Sequence, residues 1–119
     1  MFEMDRGDVA QLRVIADLYE VAGRDAPRRA GAVLGAAADE ISGSVASEHQ
    51  TRGWGETSRV WARRGSGGPY DPRAFVFMSG GAAWLEDHPD WPQPTLTPAF
   101  DRAQAGIEDA IGGAAEGLL

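Results

Sequence analysis

The chain has 119 residues, no cysteine and a formal net charge of −7. The length is typical of one domain, and the absence of cysteine excludes a disulfide framework and thiolate chemistry. The negative net charge disfavours the mode of nucleic-acid binding in which basic side chains neutralise phosphates. Residues 1–6 lack the basic and apolar segments of an export signal, and no apolar run has the length of a membrane span. We therefore expect one domain over residues 1–119, assembled in the cytoplasm and without a membrane partner.

Two helices are predicted in the N-terminal part. Asp8 is a capping residue followed by apolar side chains at helical spacing, which predicts a helix over about 8–22. Asp25 and Pro27 mark a second start, with a helix over about 26–47. The apolar stripe of this second helix is mostly alanine, which buries little area per residue. We expect the helix to gain its stability by packing on a sheet or on neighbouring subunits.

A β-region is predicted over about 55–86. Residues 56–63 carry the β-branched and aromatic side chains of a strand, and residues 73–79 are the most apolar run in the chain. The glycine- and proline-rich residues 65–72 separate these runs and have the composition of a turn. The pattern predicts a long β-hairpin with a mobile tip.

A proline-rich arm and a last helix complete the chain. Three prolines lie close together in residues 87–96, which predicts an extended, stiffened arm. Thr97 as the N-cap and Pro98 at the first helical position predict a helix over 97–118. The order of elements predicts an α+β fold with N-terminal helices, an antiparallel hairpin or small sheet, and a C-terminal helix.

One acidic cluster has the residue types that chemistry requires. Glu86, Asp87, His88 and Asp90 have the side chains of a hard-cation site or of an acid–base pair. The flanking prolines favour a solvated loop instead, and the other histidine, His49, is distant in sequence. We predict no enzyme activity, catalytic residue, metal site or cofactor.

Arginines and tryptophans are the better indicators of contact. Arg59, Arg63 and Arg64 lie beside Trp61, a grouping that suits a phosphate backbone but is more often a solvated strand end or a subunit contact. Four tryptophans are many for a domain whose helices carry mostly small apolar side chains. Exposed tryptophans often mark a partner surface. For Trp91, between Asp90 and Pro92, we favour an intersubunit contact over a place in the core.

The second half of the chain resembles a phage family. Phe75 to Gly81 is a glycine-flanked apolar strand, followed by Trp84-Leu85-Glu86, by Gln93 to Asp101 with its Pro-Ala pair, and by the closing helix. This order is similar to that of the head–tail joining and tail-completion proteins of long-tailed phages, the gene-product-ten-like tail components. The resemblance covers about residues 26 to 118.

The resemblance implies a structural virion protein of the neck or tail. Such a subunit forms a ring of six or twelve copies, as head–tail connector, neck protein or tail terminator, between the DNA-filled head and the tail tube. Its partners are copies of itself and the neighbouring connector, stopper and tail-tube proteins, and DNA passes through the lumen without specific binding. The predicted interface residues are Trp61, Tyr70, Trp84, Glu86, Trp91, Pro92, Pro94, Leu96 and Phe100.

Two other functions stay open at this point. One is a small acidic binding module, of the antitoxin, immunity or adaptor type, that captures a basic partner. The other is a small hydrolase or isomerase that uses the acidic cluster around His88.

Overall fold

The computed structural model describes residues 2–5, 9–14, 25–69 and 71–116. In chain order, these residues form β1 (Phe2–Asp5), β2 (Val9–Val14), α1 (Asp25–Thr51), β3 (Ser58–Ser66), β4 (Pro72–Gly80), α2 (Gly81–Glu86) and α3 (Leu96–Glu116). The strands form an antiparallel sheet in the order β1-β2-β4-β3. The predicted α+β class is confirmed.

The predicted first helix over 8–22 is wrong where the structure describes it. Val9–Val14 form β2, which lies between β1 and β4, and residues 15–22 lie outside the described residues. β4 is an apolar central strand, and an unpaired backbone N–H or C=O on a buried edge costs as much as a lost hydrogen bond. β2 supplies the partner on that edge, and its Leu12, opposite Ala74, is fully buried.

The predicted hairpin is confirmed and is longer than expected. β3 and β4 pair without interruption from Ser58 opposite Gly80 to Ser66 opposite Pro72. Two backbone hydrogen bonds between Gly67, Gly68 and Asp71 close its tip. The predicted β-region over 55–86 is wrong beyond Gly80, because the following residues form helix α2.

Helix α1 is the centre of the fold, and it packs on β3 and β4 on one side and on α3 on another. Its buried stripe consists of Ala26, Ala30, Leu34, Ala38, Ile41 and Val45. The helix extends beyond the predicted end at residue 47 to Thr51, and the chain leaves it at Gly53, whose φ is +78°. The Trp54 N–H donates to the His49 carbonyl and the Gly53 N–H to the Gln50 carbonyl, which is the pattern of a Schellman C-cap.

The turn from β4 into α2 depends on Gly80. Its φ of 86° and ψ of −155° lie in a region that essentially only glycine adopts, and a Cβ there would overlap the carbonyl oxygen of Thr57. We expect Gly80→Ala to lower the free energy of unfolding by about 2–3 kcal/mol in urea denaturation. Gly43→Ala is the matched control, because a Cβ at this position in α1 meets nothing within 4 Å.

The control should shift stability in the opposite direction. Alanine restricts the unfolded chain and favours helix, so we expect Gly43→Ala to raise the free energy of unfolding by about 0.5–1 kcal/mol. Equal effects of the two substitutions would contradict the backbone geometry described for Gly80.

Helix α3 begins one residue earlier than predicted. Its first residue is Leu96, so Thr95 precedes the helix and Pro98 is its third residue. Proline is tolerated there, because the first four N–H groups of a helix have no intrahelical partner. The helix is described to Glu116, and its buried residues against the rest of the core are Leu96, Ala99, Phe100, Ile107 and Ile111.

Candidate functional site

Two exposed tryptophans and a histidine form an aromatic cluster on α2 and on the loop that follows it. Trp84 is 65% exposed and Trp91 is 72% exposed, which is unusual because tryptophan is a large side chain that is highly buried on average. The ring of His88 lies between them, 4.2 Å from the Trp84 ring centroid and 6.2 Å from that of Trp91. We call Trp84, His88 and Trp91 the tryptophan patch.

Backbone hydrogen bonds hold the His88 ring in place. Its Nδ1 atom accepts from the Asp90 N–H at 3.1 Å and from the Trp91 N–H at 3.0 Å. With Nδ1 as the acceptor, the proton of the neutral ring lies on Nε2. The turn that carries Trp91 is therefore folded around the histidine, and the patch is an ordered surface.

The buried carboxylate of Glu86 joins the two ends of the loop that carries His88 and Trp91. Glu86 is only 3% exposed. Its Oε1 accepts from the N–H groups of Thr95 and Leu96 at 2.9 and 3.0 Å, and its Oε2 accepts from that of Thr97 at 2.8 Å. These are N–H groups at the start of α3, where a negative charge also interacts favourably with the helix dipole.

The proline-rich residues 87–96 are therefore a closed loop and not the extended arm that the sequence predicts. The Gln93 N–H donates to the Leu85 carbonyl at 2.8 Å, in addition to the bonds of Glu86. The prolines do prevent regular structure in residues 87–95, as predicted. A carboxylate placed before the prolines nevertheless brings the two ends of the segment together.

A buried polar pair lies beneath this loop. The Nε2 of His49, at the end of α1, is 2.9 Å from the hydroxyl of Thr95, and His49 is 2% exposed. The Thr95 hydroxyl also approaches the sulfur of Met78 at 3.6 Å. Helix α1, strand β4 and the start of α3 thus meet at one threonine, which fixes the base of the loop relative to the core.

Burial lowers the pKa of His49 below its ordinary value of 6.5. Desolvation is the main cause, since the charged ring loses its hydration inside the fold; the carboxylates of Glu48 and Glu86 oppose the shift, and Arg52 adds to it. His49 therefore stays neutral in the folded chain at pH values where it is already protonated in the unfolded chain.

This difference predicts a loss of stability in acid. Below about pH 6.5 the unfolded chain binds a proton that the folded chain does not, so the free energy of unfolding falls as the pH drops from 6.5 towards the folded pKa. Thermal unfolding of the wild type and of His49→Gln at pH 7.5 and pH 5.5 measures this contribution. We expect the variant to lose less stability between the two pH values. A loss equal to that of the wild type would contradict a buried, neutral His49.

The predicted interface residues divide into four groups. Four are exposed, namely Trp61, Trp84, Trp91 and Pro92, and Pro94 is partly buried. Three are buried in the interior of the chain, which corrects their prediction as surface contacts: Glu86, Leu96 and Phe100. Glu86 is buried because it caps α3, and the other two belong to the core face of that helix. Tyr70 lies outside the described residues.

The acidic cluster predicted around His88 does not converge on one point. Glu86 is directed into the core, while Asp87 and Asp90 are exposed. Among the described residues, no group of three or more histidine, aspartate or glutamate side chains is arranged to hold a metal ion. Sequence reasoning missed His49 and Thr95, although His49 continues the helical spacing of the α1 stripe four residues after Val45.

A second aromatic group lies on the sheet face that α1 does not cover. Trp61 on β3 stacks on Phe77 of β4 at 5.5 Å, and Phe77 stacks on Phe75 at 5.8 Å. The guanidinium of Arg59 lies 5.8 Å from the Trp61 ring, and that of Arg63 lies 6.0 Å from the Phe77 ring. We call these five residues the arginine–aromatic face.

Arg64 does not belong to this face, although the sequence groups it with Arg59 and Arg63. It pairs with Ala74, whose side chain is on the buried side of the sheet, and its guanidinium lies against Gly35 of α1. A Cβ on Gly35 would overlap that guanidinium. The alternation of a strand thus separates two neighbouring arginines onto opposite faces.

No protein-family model matches the chain, and no curated protein or solved structure matches it significantly. Within the described residues, none of the helices combines the length and the apolar character that crossing a bilayer demands.

Proposed function

We propose that this chain is a structural subunit of a tailed-phage virion. It forms a ring of six or twelve copies at the junction between the DNA-filled head and the tail tube, as a head–tail connector, neck protein or tail terminator. DNA passes through the lumen without specific binding, and the subunit performs no catalysis.

The observation that carries an assembly role is the tryptophan patch. A tryptophan side chain is among the largest contributors to protein–protein binding, and contact hot spots are enriched in this residue. Leaving two of them 65% and 72% exposed is unfavourable for the isolated chain. Covering them with a neighbouring protein recovers that free energy, which supports a chain that functions in an assembly.

The ordered loop strengthens this argument. A contact surface that is already fixed loses less conformational entropy when a partner binds. Glu86 anchors the loop to α3, and His88 holds the turn at Trp91. The patch is thus prepared for binding before a neighbour arrives.

The phage assignment itself rests on the order of elements. An apolar strand, a short segment ending in Glu86, a proline-rich loop and a closing helix follow one another in the same order as in the head–tail joining family. The structure adds a role for the glutamate in that order, because Glu86 links the short segment to the closing helix.

Asp87 and Asp90, both exposed beside the tryptophan patch, favour a second candidate. An acidic binding module would use these carboxylates and the two tryptophans to capture a basic protein. Such a module forms a complex of fixed stoichiometry with its partner and does not form rings alone.

Deleting the coding gene from the phage genome that carries it tests the proposal. We expect electron micrographs of the lysate to show filled heads and tails that are not joined, or tails of abnormal length. Supplying the intact gene in trans should restore complete particles, whereas a gene encoding Trp84→Ala/Trp91→Ala should not. Normal particles in the deletion lysate would refute the virion role.

A further inference from the structure

Both edges of the sheet are open to another strand. In the order β1-β2-β4-β3, the strands β1 and β3 each have a neighbour on one side only. Among the described residues, no further strand pairs with the outer side of either. An edge strand presents a row of backbone N–H and C=O groups, which is a template for pairing with another chain. β3 is nine residues long and contains no proline, so its template is the larger one.

Hydrogen bonds at the two ends of β3 show which of its backbone groups are free. The Gly81 N–H donates to the Thr57 carbonyl and the Gly67 N–H to the Asp71 carbonyl, both in the register of the β3–β4 pairs. Hydrogen-bonded pairs alternate along an antiparallel ladder, so the odd-numbered residues of β3 bond to β4. The even-numbered residues from 58 to 66 therefore direct their N–H and C=O groups away from the sheet.

The same alternation leaves the backbone groups of Phe2 and Met4 free on β1. β4 bonds to β2 through its even-numbered residues, and β2 then bonds to β1 through its odd-numbered ones. The groups of Phe2 and Met4 consequently point away from β2. When β1 of one copy lies beside β3 of another, the free groups of both strands fall in the same register, so about four backbone hydrogen bonds can form between them.

The strand directions match as well. Every pair in the sheet is antiparallel, so β1 and β3 of one chain run in opposite directions. A second copy that is rotated about an axis along the strands keeps these directions. Its β3 is therefore antiparallel to β1 of the first copy, and the sheet continues from one copy into the next.

The residues at the two edges have complementary charges. One row across the four strands consists of Asp5, Gln11, Phe75 and Arg63. Residues opposite one another share a sheet face, as do alternate residues of a strand, so the register places Glu3 and Asp5 on the face of Arg59 and Arg63. Pairing β1 with β3 of another copy brings these two acidic residues beside the two exposed arginines.

The edge charges are not cancelled within the chain. Arg13 lies opposite Glu3, but Asp5 lies opposite an uncharged residue. On β3, the guanidinium groups of Arg59 and Arg63 lie over aromatic rings. Within the part of the chain that the structure describes, neither of these two arginines forms a salt bridge.

We infer that β1 of one copy pairs with β3 of the next, so that the sheet runs continuously from subunit to subunit. The inference rests on the proposed ring function and names its subunit contact. The contact is head-to-tail because the two edges differ, and a head-to-tail contact makes a ring when the rotation between copies closes. A closed ring of this kind leaves no strand edge free.

Charge reversal tests this contact. We expect Arg59→Glu/Arg63→Glu alone and Glu3→Arg/Asp5→Arg alone each to weaken self-association at least about tenfold in sedimentation velocity, because each places like charges across the contact. Mixing the two variants should restore association, since each then complements the other at both edges. Arg29→Glu/Arg102→Glu makes the same change of charge on α1 and α3 and should leave association unaltered.

Ala62→Pro tests the backbone hydrogen bonds separately from the charges. The N–H of this residue points away from β4, and proline is tolerated on an edge strand where the N–H faces outward. We expect the variant to stay folded and to associate at least about tenfold more weakly. Ala62→Val, which adds bulk but keeps the N–H, should associate like the wild type. Equal association of the two variants would contradict pairing at this edge.

The outcomes separate this inference from the proposed function. If the wild type assembles and the edge variants assemble equally well, the edge contact is overturned and the ring function stands. If the wild type stays monomeric, both fail. A loss of association in Arg59→Glu/Arg63→Glu that Glu3→Arg/Asp5→Arg neither shares nor restores would assign the β3 edge to a different strand and overturn the inference. Circular dichroism and thermal unfolding confirm that each variant is folded.

Discussion

Glu86→Gln is expected to lower the free energy of unfolding by about 2–4 kcal/mol. The buried carboxylate accepts three backbone N–H bonds at the start of α3, and bonds to a charged group are the stronger ones. A glutamine of the same shape keeps one acceptor oxygen and turns an NH₂ group towards N–H donors, so at least one buried N–H loses its partner. Urea denaturation measures the change.

Asp87→Asn provides the matched control for this substitution. It likewise replaces a carboxylate by an amide, but at an exposed position. Surface substitutions of this kind change the free energy of unfolding by no more than about 0.5 kcal/mol. Hydrogen exchange should also be faster at the amides of Thr95, Leu96 and Thr97 in Glu86→Gln. Equal stability of the two variants, with no change in exchange, would mean that the carboxylate does not hold the loop.

Trp84→Ala/Trp91→Ala is expected to weaken assembly by at least about tenfold and to leave stability nearly unchanged. Both rings are largely exposed, so the folded chain loses little on their removal, whereas tryptophans in a contact often cost 2 kcal/mol or more of binding free energy when truncated. Sedimentation velocity measures the association, and thermal unfolding measures the stability.

Trp54→Ala is expected to show the opposite pattern. Trp54 packs against the core, its ring lies 5.8 Å from that of His49, and the guanidinium of Arg52 lies 5.0 Å from it. Its truncation should cost about 2–4 kcal/mol of stability. If Trp84→Ala/Trp91→Ala lowered stability as much as Trp54→Ala, the patch would be part of the fold and not a contact surface.

The elements that sequence predicts correctly are those with unambiguous local signals. The alanine stripe after Pro27 has the spacing of a helix, and the apolar run of β4 is short, rich in aromatic residues and flanked by proline and glycine, which favours a strand. The segment 9–14 has no such signal, because its apolar residues suit a helix as well as a short strand. Its pairing with β4 is a tertiary contact between distant parts of the chain, which overrides the local preference.

The candidate site was predicted in part. Trp84 and Trp91 are both among the predicted interface residues, and both are exposed. The sequence indicates this because four tryptophans are more than a small core with mostly alanine-lined helices needs. The sequence also predicts Glu86 to be a surface residue, because its acidic and proline-rich neighbours are typical of a solvated loop. Only the fold shows that the start of α3 lies within reach of its carboxylate.

The oligomeric state of the purified 119-residue chain tests most directly whether the protein is a ring-forming subunit. Mass photometry and negative-stain electron microscopy across a range of concentrations measure it without any assumption about partners. We expect closed rings of one defined size, with a mass of six or twelve copies of the 12.6 kDa chain. A chain that stays monomeric at every concentration, and that also fails to associate with virion particles, would contradict it.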